Sequence, residues 1–197
     1  MKLEPRSGRR ANARRGVTLV EVVIAMPIIL VAASLMLGTL TTAARQRTVN
    51  GDNARAAEAV RSILETLRNE DFRQMVALFD QEPFNDPLGP GTAPGNSFDV
   101  PGLRPLEGDL DGRVGEILLP LFDAAPAGAL VPEWQLREDI EDAALGLPQD
   151  LNGDGAVDSL DHSGDNRILP VVAVVRWQGQ FGPRTLRMFT LFTEYRY

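Results

Sequence analysis

Between Val17 and Ala44 the chain runs for 28 residues with one charged side chain, Glu21. As a helix rising about 1.5 Å per residue, that run extends roughly 42 Å, and the hydrocarbon core of a bilayer is about 30 Å thick. It is long enough to span a membrane and project beyond it. Everything after it must therefore fold as a body carried on a membrane helix. A cleaved secretory signal usually has a shorter apolar core and a small-x-small cleavage site, so simple removal of the segment is not expected.

Charge orients the segment. Lys2, Arg6, Arg9, Arg10, Arg14 and Arg15 against Glu4 give residues 1–16 a charge of +5, which leaves −12 on residues 17–197 out of a total of −7. A basic flank ahead of an apolar helix holds its side in the cytoplasm, so the N-terminus is expected there and the body across the membrane. The acidic body repels phosphate backbones, and nucleic acid is not an expected partner. There is no cysteine, which excludes a thiol nucleophile, a disulfide framework and Cys-ligated zinc. The single histidine, His162, excludes multi-histidine metal sites. With no activated nucleophile beside it, it reads as an exposed loop residue, and no enzymatic activity is expected.

A short basic leader, Gly16 immediately before the apolar run, and Glu21 five residues after that glycine resemble the class III signal of type IV pilins and pseudopilins. The resemblance implies that a prepilin peptidase cuts between Gly16 and Val17 and methylates the new amine of Val17, where the family more often has Phe. Glycine also suits the chemistry, because a residue without a side chain lets a protease approach the scissile peptide closely. A carboxylate in a bilayer costs about 2.5–3.5 kcal/mol on insertion scales, so Glu21 calls for a partner, and the freed amine of Val17 is one. The family's implied role for Glu21 is docking against a neighbouring subunit. Pro27 removes one helical hydrogen bond and favours a bend or local melting, which the resemblance ties to filament packing. Gly38 offers close helix packing without a paired small-residue motif.

Past Ala44 the pattern becomes amphipathic. Val60, Ile63, Leu64 and Leu67 follow i, i+3, i+4, i+7 spacing, with Arg61, Glu65 and Arg68 facing outward. A second stripe, Phe72, Met75, Val76 and Phe79, is offset from the first and predicts a break near Asn69–Asp71. Asn50-Gly51 is a further point of interruption. Residues 81–112 are dense in Pro, Gly, Asn and Asp and read as a long connection with at most a short strand at 97–100. Val114–Leu119 and Trp134–Arg137 are strand candidates, and Glu138–Leu145 a helical turn. Ile168–Gln178 and Arg184–Tyr195 are β-branched and aromatic runs around Gly179-Gln180-Phe181-Gly182-Pro183, the pattern of an antiparallel hairpin.

The expected fold is thus α+β: a pilin-like lollipop whose long N-terminal helix packs its second half on a small C-terminal antiparallel sheet. Its parts are a cleaved leader (1–16), a transmembrane and filament-core helix (17–44), an amphipathic helix (45–79) and a globular head (80–197). The head holds a terminal hairpin at 168–195.

One loop carries chemistry. Residues 150–161, DLNGDGAVDSLD, place oxygen donors at loop positions 1, 3, 5, 9 and 12, namely Asp150, Asn152, Asp154, Asp158 and Asp161. The carbonyl of Ala156 serves position 7, and Gly155 sits at position 6, where the chain must turn sharply. Calcium takes six to eight hard oxygens, and clustered carboxylates otherwise repel one another. The loop resembles those of dockerins and EF-hands, with Asp161 in place of the EF-hand's usual Glu. Asp165 or Asn166 offers a further oxygen. Calcium is the expected cofactor. A similar start at Glu107–Gly112 reaches Gly115 and Leu118 at the later ligand positions and reads as a turn.

The expected function is a minor pilin or pseudopilin subunit in the inner membrane, single-pass with a periplasmic head. Its expected partners are prepilin peptidase, other pilins or pseudopilins through their N-terminal helices, and the inner-membrane assembly machinery of a type IV pilus or type II secretion pseudopilus. The alternative is a membrane-anchored calcium-binding adhesin or receptor domain that does not assemble.

Overall fold

The computed structural model describes residues 16–194. The leader before Gly16 and the last three residues, including the expected strand end at Tyr195, lie outside the described residues. The chain divides into two compact units at Gln46/Arg47. One helix, α1 (Leu19–Asn69, 51 residues), contributes to both.

In the first unit α1 keeps its apolar side chains outward: Leu19, Ile29, Leu30 and Leu37 are each more than 60% exposed. The most apolar 18-residue window of α1 has none of its residues buried, and the helix is long and apolar enough to cross a membrane. The helix continues through Pro27, where the sequence favours a bend or melting. It also continues through Asn50-Gly51, so the interruption anticipated there is absent. Both positions are carried by intact hydrogen-bonded turns on either side, and helix formation is cooperative.

In the second unit the amphipathic end of α1 becomes part of a core. Ala56, Val60 and Leu67 are fully buried. The helix stops at Asn69, and a 3-10 turn (Phe72–Gln74) leads into the short α2 (Met75–Phe79), as the offset of the two apolar stripes predicts. Asp71 opens that turn by accepting the Arg73 N–H at 2.8 Å.

Among the described residues six strands follow: β1 (Ser97–Phe98), β2 (Gly115–Leu118), β3 (Leu121–Asp123), β4 (Trp134–Leu136), β5 (Ile168–Gly179) and β6 (Gly182–Thr193). Four form an antiparallel sheet in the order β1-β2-β5-β6, and β3 and β4 form a two-stranded ribbon. The fold is α+β, a long N-terminal helix packed through its second half on a small antiparallel sheet. The terminal hairpin pairs Ile168 with Thr193 through to Gly179 with Gly182.

β5 is buried along nearly its whole length because it lies inside the sheet with a core on each face. Ala173, Val175 and Trp177 join Ala56 and Val60 of α1 in one cluster. Val172 and Val174 join a second cluster with Leu136, Leu145 and Leu147. This double burial explains why β5 lacks polar alternation, whereas β6, at the edge, alternates half-buried and exposed residues. Pro170 fits in β5 because β2 pairs only with Val172–Val175, so no ladder partner is lost on that side. β2 begins at Gly115, over which the Phe98 ring of β1 lies so closely that an added Cβ would meet it at 2.3 Å.

Glu138–Leu145 does not form the anticipated helical turn. Asp142 instead caps a tight turn, its side chain accepting Ala144 N–H at 2.8 Å and its carbonyl accepting Leu147 N–H at 2.9 Å. Gly146 at φ 72° reverses the chain there, and Leu145 and Leu147 point into the core on either side of it.

Candidate metal centre

The site starts at the end of β4. Leu136 closes the core, and Arg137 turns outward over the Phe122 ring, 4.4 Å from its centroid, where it pairs with Asp139. The next side chain, Glu138, turns inward and is only 1% exposed. Its Oε1 accepts the backbone N–H of Leu151 at 2.6 Å and of Asn152 at 3.1 Å. A buried carboxylate thereby anchors the first residues of the acidic loop.

The loop closes back on the same strand. Leu136 donates its N–H to Asp161 Oδ1 at 3.0 Å, and its carbonyl accepts the N–H of His162 at 2.8 Å. The Leu151 carbonyl accepts N–H groups of Arg167 at 2.7 Å and Ile168 at 2.9 Å, which delivers the chain into β5. Residues 151–167 are thus pinned at both ends by β4 and β5.

Within the loop, Asp150 accepts the N–H groups of Gly153 at 2.6 Å and Gly155 at 2.8 Å, so its carboxylate is held below the usual range. Asn152 Oδ1 accepts Asp154 N–H, and Asp154 Oδ1 accepts Ala156 N–H. Gly155 has φ 90°, the left-handed turn its loop position requires. Positions 1 to 7 therefore carry oxygen donors on a sharply turned backbone, with the side chains of positions 1, 3 and 5 each accepting a backbone N–H of the loop.

The later positions turn elsewhere. Asp158 Oδ1 faces His162 Nε2 at 3.1 Å. Asp161 Oδ1 accepts Leu136 and Ser163 N–H groups, and its Oδ2 accepts the Ser163 hydroxyl at 3.0 Å. Past the loop, Asp165 Oδ1 reaches His162 Nδ1 at 3.1 Å, and the Oδ1 of buried Asn166 accepts from Arg73 at 3.4 Å.

His162 is a correction. Read from sequence as an exposed loop residue, it is 3% exposed. It is drawn in because its backbone pairs with Leu136 and its ring sits among Glu138, Asp158 and Asp165. Burial alone would lower its pKa, but the hydrogen bonds its ring donates to Asp158 and Asp165, with the nearby Glu138 charge, outweigh that and raise it. Asp158 is lowered, first by the Leu160 N–H and then by His162.

Among the described residues, Glu138, Asp158 and His162 form a group that can hold a metal ion, with ligand atoms all within 4.8 Å of one another. Only Asp158 belongs to the loop pattern. Glu138 lies twelve residues before Asp150, so no loop spacing points to it, and in sequence it is one of four acids, with Asp139, Glu141 and Asp142, that nothing local tells apart.

The remaining expected site residues lie in the first unit. Gly16 and Val17 precede α1, and Val17 is 71% exposed. Glu21 is exposed in the first helical turn, where its backbone N–H donates to Thr18 Oγ1 at 3.3 Å. Pro27 is exposed within the helix. An acidic cleft of about 490 Å³ elsewhere in the second unit gathers Asp80, Glu82, Asp86, Asp111 and Glu116. Burial raises Asp80 there, against the hydrogen bonds of Asn85 and Glu82.

No family model, curated protein or solved structure matches the chain.

Proposed function

We propose that this chain is a pilin-like subunit, a minor pilin or pseudopilin. It is inserted in the inner membrane through α1, cut after Gly16 by a prepilin peptidase, and assembled into a type IV pilus or type II secretion pseudopilus. The observation that carries this reading is the division of labour along one helix: apolar and outward-facing where it follows Gly16, amphipathic and core-forming from Ala56 to Leu67. In the bilayer the apolar half is satisfied by lipid; in a filament, neighbouring helices replace lipid. Glu21 then pairs with the methylated amine of a neighbouring Val17, a contact strengthened in a low-dielectric core. The acidic loop takes calcium through Asp150, Asn152, Asp154 and the Ala156 carbonyl, and orders the approach to β5.

Mass spectrometry of the mature chain tests the processing step. N-methylated Val17 at the new terminus is the expected result; an intact leader rejects it and leaves the second reading, a membrane-anchored calcium-binding adhesin or receptor. That reading draws on the same metal-competent loop and needs no assembly.

A further inference from the structure

We infer that Glu138, Asp158 and His162 form a second cation position, sharing only Asp158 with the calcium loop and selective for a borderline divalent transition metal of the zinc and cobalt class. Asn152 Nδ2 lies 3.3 Å from Asp154 Oδ2, Asp165 Oδ2 and His162 Nδ1 alike, and the two charged carboxylates are the stronger acceptors for its two amide hydrogens. The hydrogen on His162 Nδ1 then goes to Asp165 Oδ1 at 3.1 Å. This is the arrangement in which a metal-bound histidine is oriented by a carboxylate behind it.

The other ring nitrogen, Nε2, faces Asp158 Oδ1 at 3.1 Å and Glu138 Oε2 at 3.7 Å. With Nδ1 protonated and the ring neutral, Nε2, Asp158 Oδ1 and Glu138 Oε2 lie within 4.8 Å of one another, and one divalent cation can take a lone pair from each. A proton on Nε2 points at one oxygen and leaves net negative charge beside Glu138, which is 1% exposed and poorly reached by water. A divalent ion reaches all three atoms and neutralises both carboxylates.

The donor set selects the ion. Calcium and magnesium are held by oxygen, whereas imidazole suits zinc, iron, cobalt and related metals. Tetrahedral bonds of about 2.1 Å separate ligand atoms by roughly 3.4 Å, and the observed 3.1 and 3.7 Å separations straddle that value. Three protein ligands leave one position for water, on the side where Asp158 is 39% exposed. The calcium loop is compatible with this, because its ninth position often acts through water, and Asp158 Oδ1, which accepts the Leu160 N–H at 2.8 Å, keeps a second lone pair for the ion. The ion would fasten the exit of β4 to the segment entering β5. The inference holds whether or not the chain assembles, and it meets the calcium proposal only at Asp158.

Titration of the metal-stripped full chain in detergent with Co²⁺ alone provides the test, read by visible absorption and by calorimetry. One Co²⁺ per chain is expected, retained in excess calcium. His162→Gln should weaken Co²⁺ binding by at least about tenfold while calcium binding stays near wild type. Asp158→Asn, at a partly exposed position where folding is less at risk, should also weaken Co²⁺ binding. Asp150→Asn should show the reverse, losing calcium and keeping Co²⁺, so the two sites fail independently. Absence of Co²⁺ uptake by the wild-type chain, uptake unchanged in folded His162→Gln and Asp158→Asn, or displacement by equimolar calcium overturns the inference.

Discussion

Glu138 Oε1 accepts the backbone N–H of Leu151 at 2.6 Å, and both residues are buried. This bond joins the exit of β4 to the start of the acidic loop across thirteen residues. Glu138→Ala leaves the Leu151 and Asn152 donors without it, and a hydrogen bond to a charged group contributes about 1.5–3 kcal/mol. Metal-free protein should lose stability in that range by denaturant titration, and Glu138→Gln, which keeps an acceptor, should lose less. Equal losses in the two variants would show that a neutral acceptor at this position does not hold the Leu151 and Asn152 N–H groups.

Arg73 forms a two-pronged pair with Glu194, Nε to Oε1 at 2.9 Å and Nη2 to Oε2 at 2.8 Å. Its Nη1 also donates to the Gly164 carbonyl at 3.0 Å. Lysine keeps the charge but cannot reproduce the fork. Arg73→Lys should cost about 1 kcal/mol, discounted for the partial exposure of the pair, and should speed amide exchange around residues 164–166. Unchanged exchange there would mean that the guanidinium does not hold the end of the loop.

Gly115 has no room for a side chain beneath the Phe98 ring. Gly115→Ala must displace the ring or part β1 from β2, at about 1–3 kcal/mol, as in other overpacked cores. Gly115→Ala combined with Phe98→Leu should recover part of the loss. A double variant no more stable than the single one would place the strain elsewhere.

The pKa of His162 is raised above its ordinary value of 6.5. In metal-free protein its contribution is therefore complete below pH 6.5 and is lost as pH rises through the folded-state value. Asp158 and Asp165 are lowered from 3.8, so theirs are present above that pH and lost only on further acidification. From about pH 5 to about 8, metal-free stability should fall through the His162 step, and His162→Gln should remove that step. A stability curve rising over this interval through the histidine titration has the wrong sign.

Glu21→Ala removes a charge whose membrane cost is about 2.5–3.5 kcal/mol. Insertion of the variant should be undiminished while its incorporation into filaments falls sharply, as measured by its share in sheared or cross-linked fibres. Wild-type incorporation would reject the pairing of Glu21 with a neighbouring Val17 amine.

Much of the fold is legible in local pattern. The spacing of Val60, Ile63, Leu64 and Leu67 gives a helix with one buried stripe, and the offset of Phe72, Met75 and Phe79 gives the break after Asn69. The β-branched runs either side of residues 179–183 give the hairpin, while its register is set by a turn of only Gln180 and Phe181 between Gly179 and Gly182. β3 escapes notice because its three residues have no period long enough to see. The turn at Asp142 reads as helical until its side chain is found capping the reversed chain at Gly146.

Local pattern carries the elements whose cause is local: an apolar run long enough for a bilayer, an amphipathic continuation, a hairpin, and an acidic loop with oxygen donors at fixed spacing. That Glu138 and His162 belong with that loop is a fact of long-range packing. They lie 24 residues apart, and they meet because β4 pins the loop through Leu136 while the core shuts water away from both. Spacing rules see ligands that share one turn of backbone. A site assembled by closing a long loop onto a strand is fixed by burial and backbone pairing, which no short stretch of sequence contains.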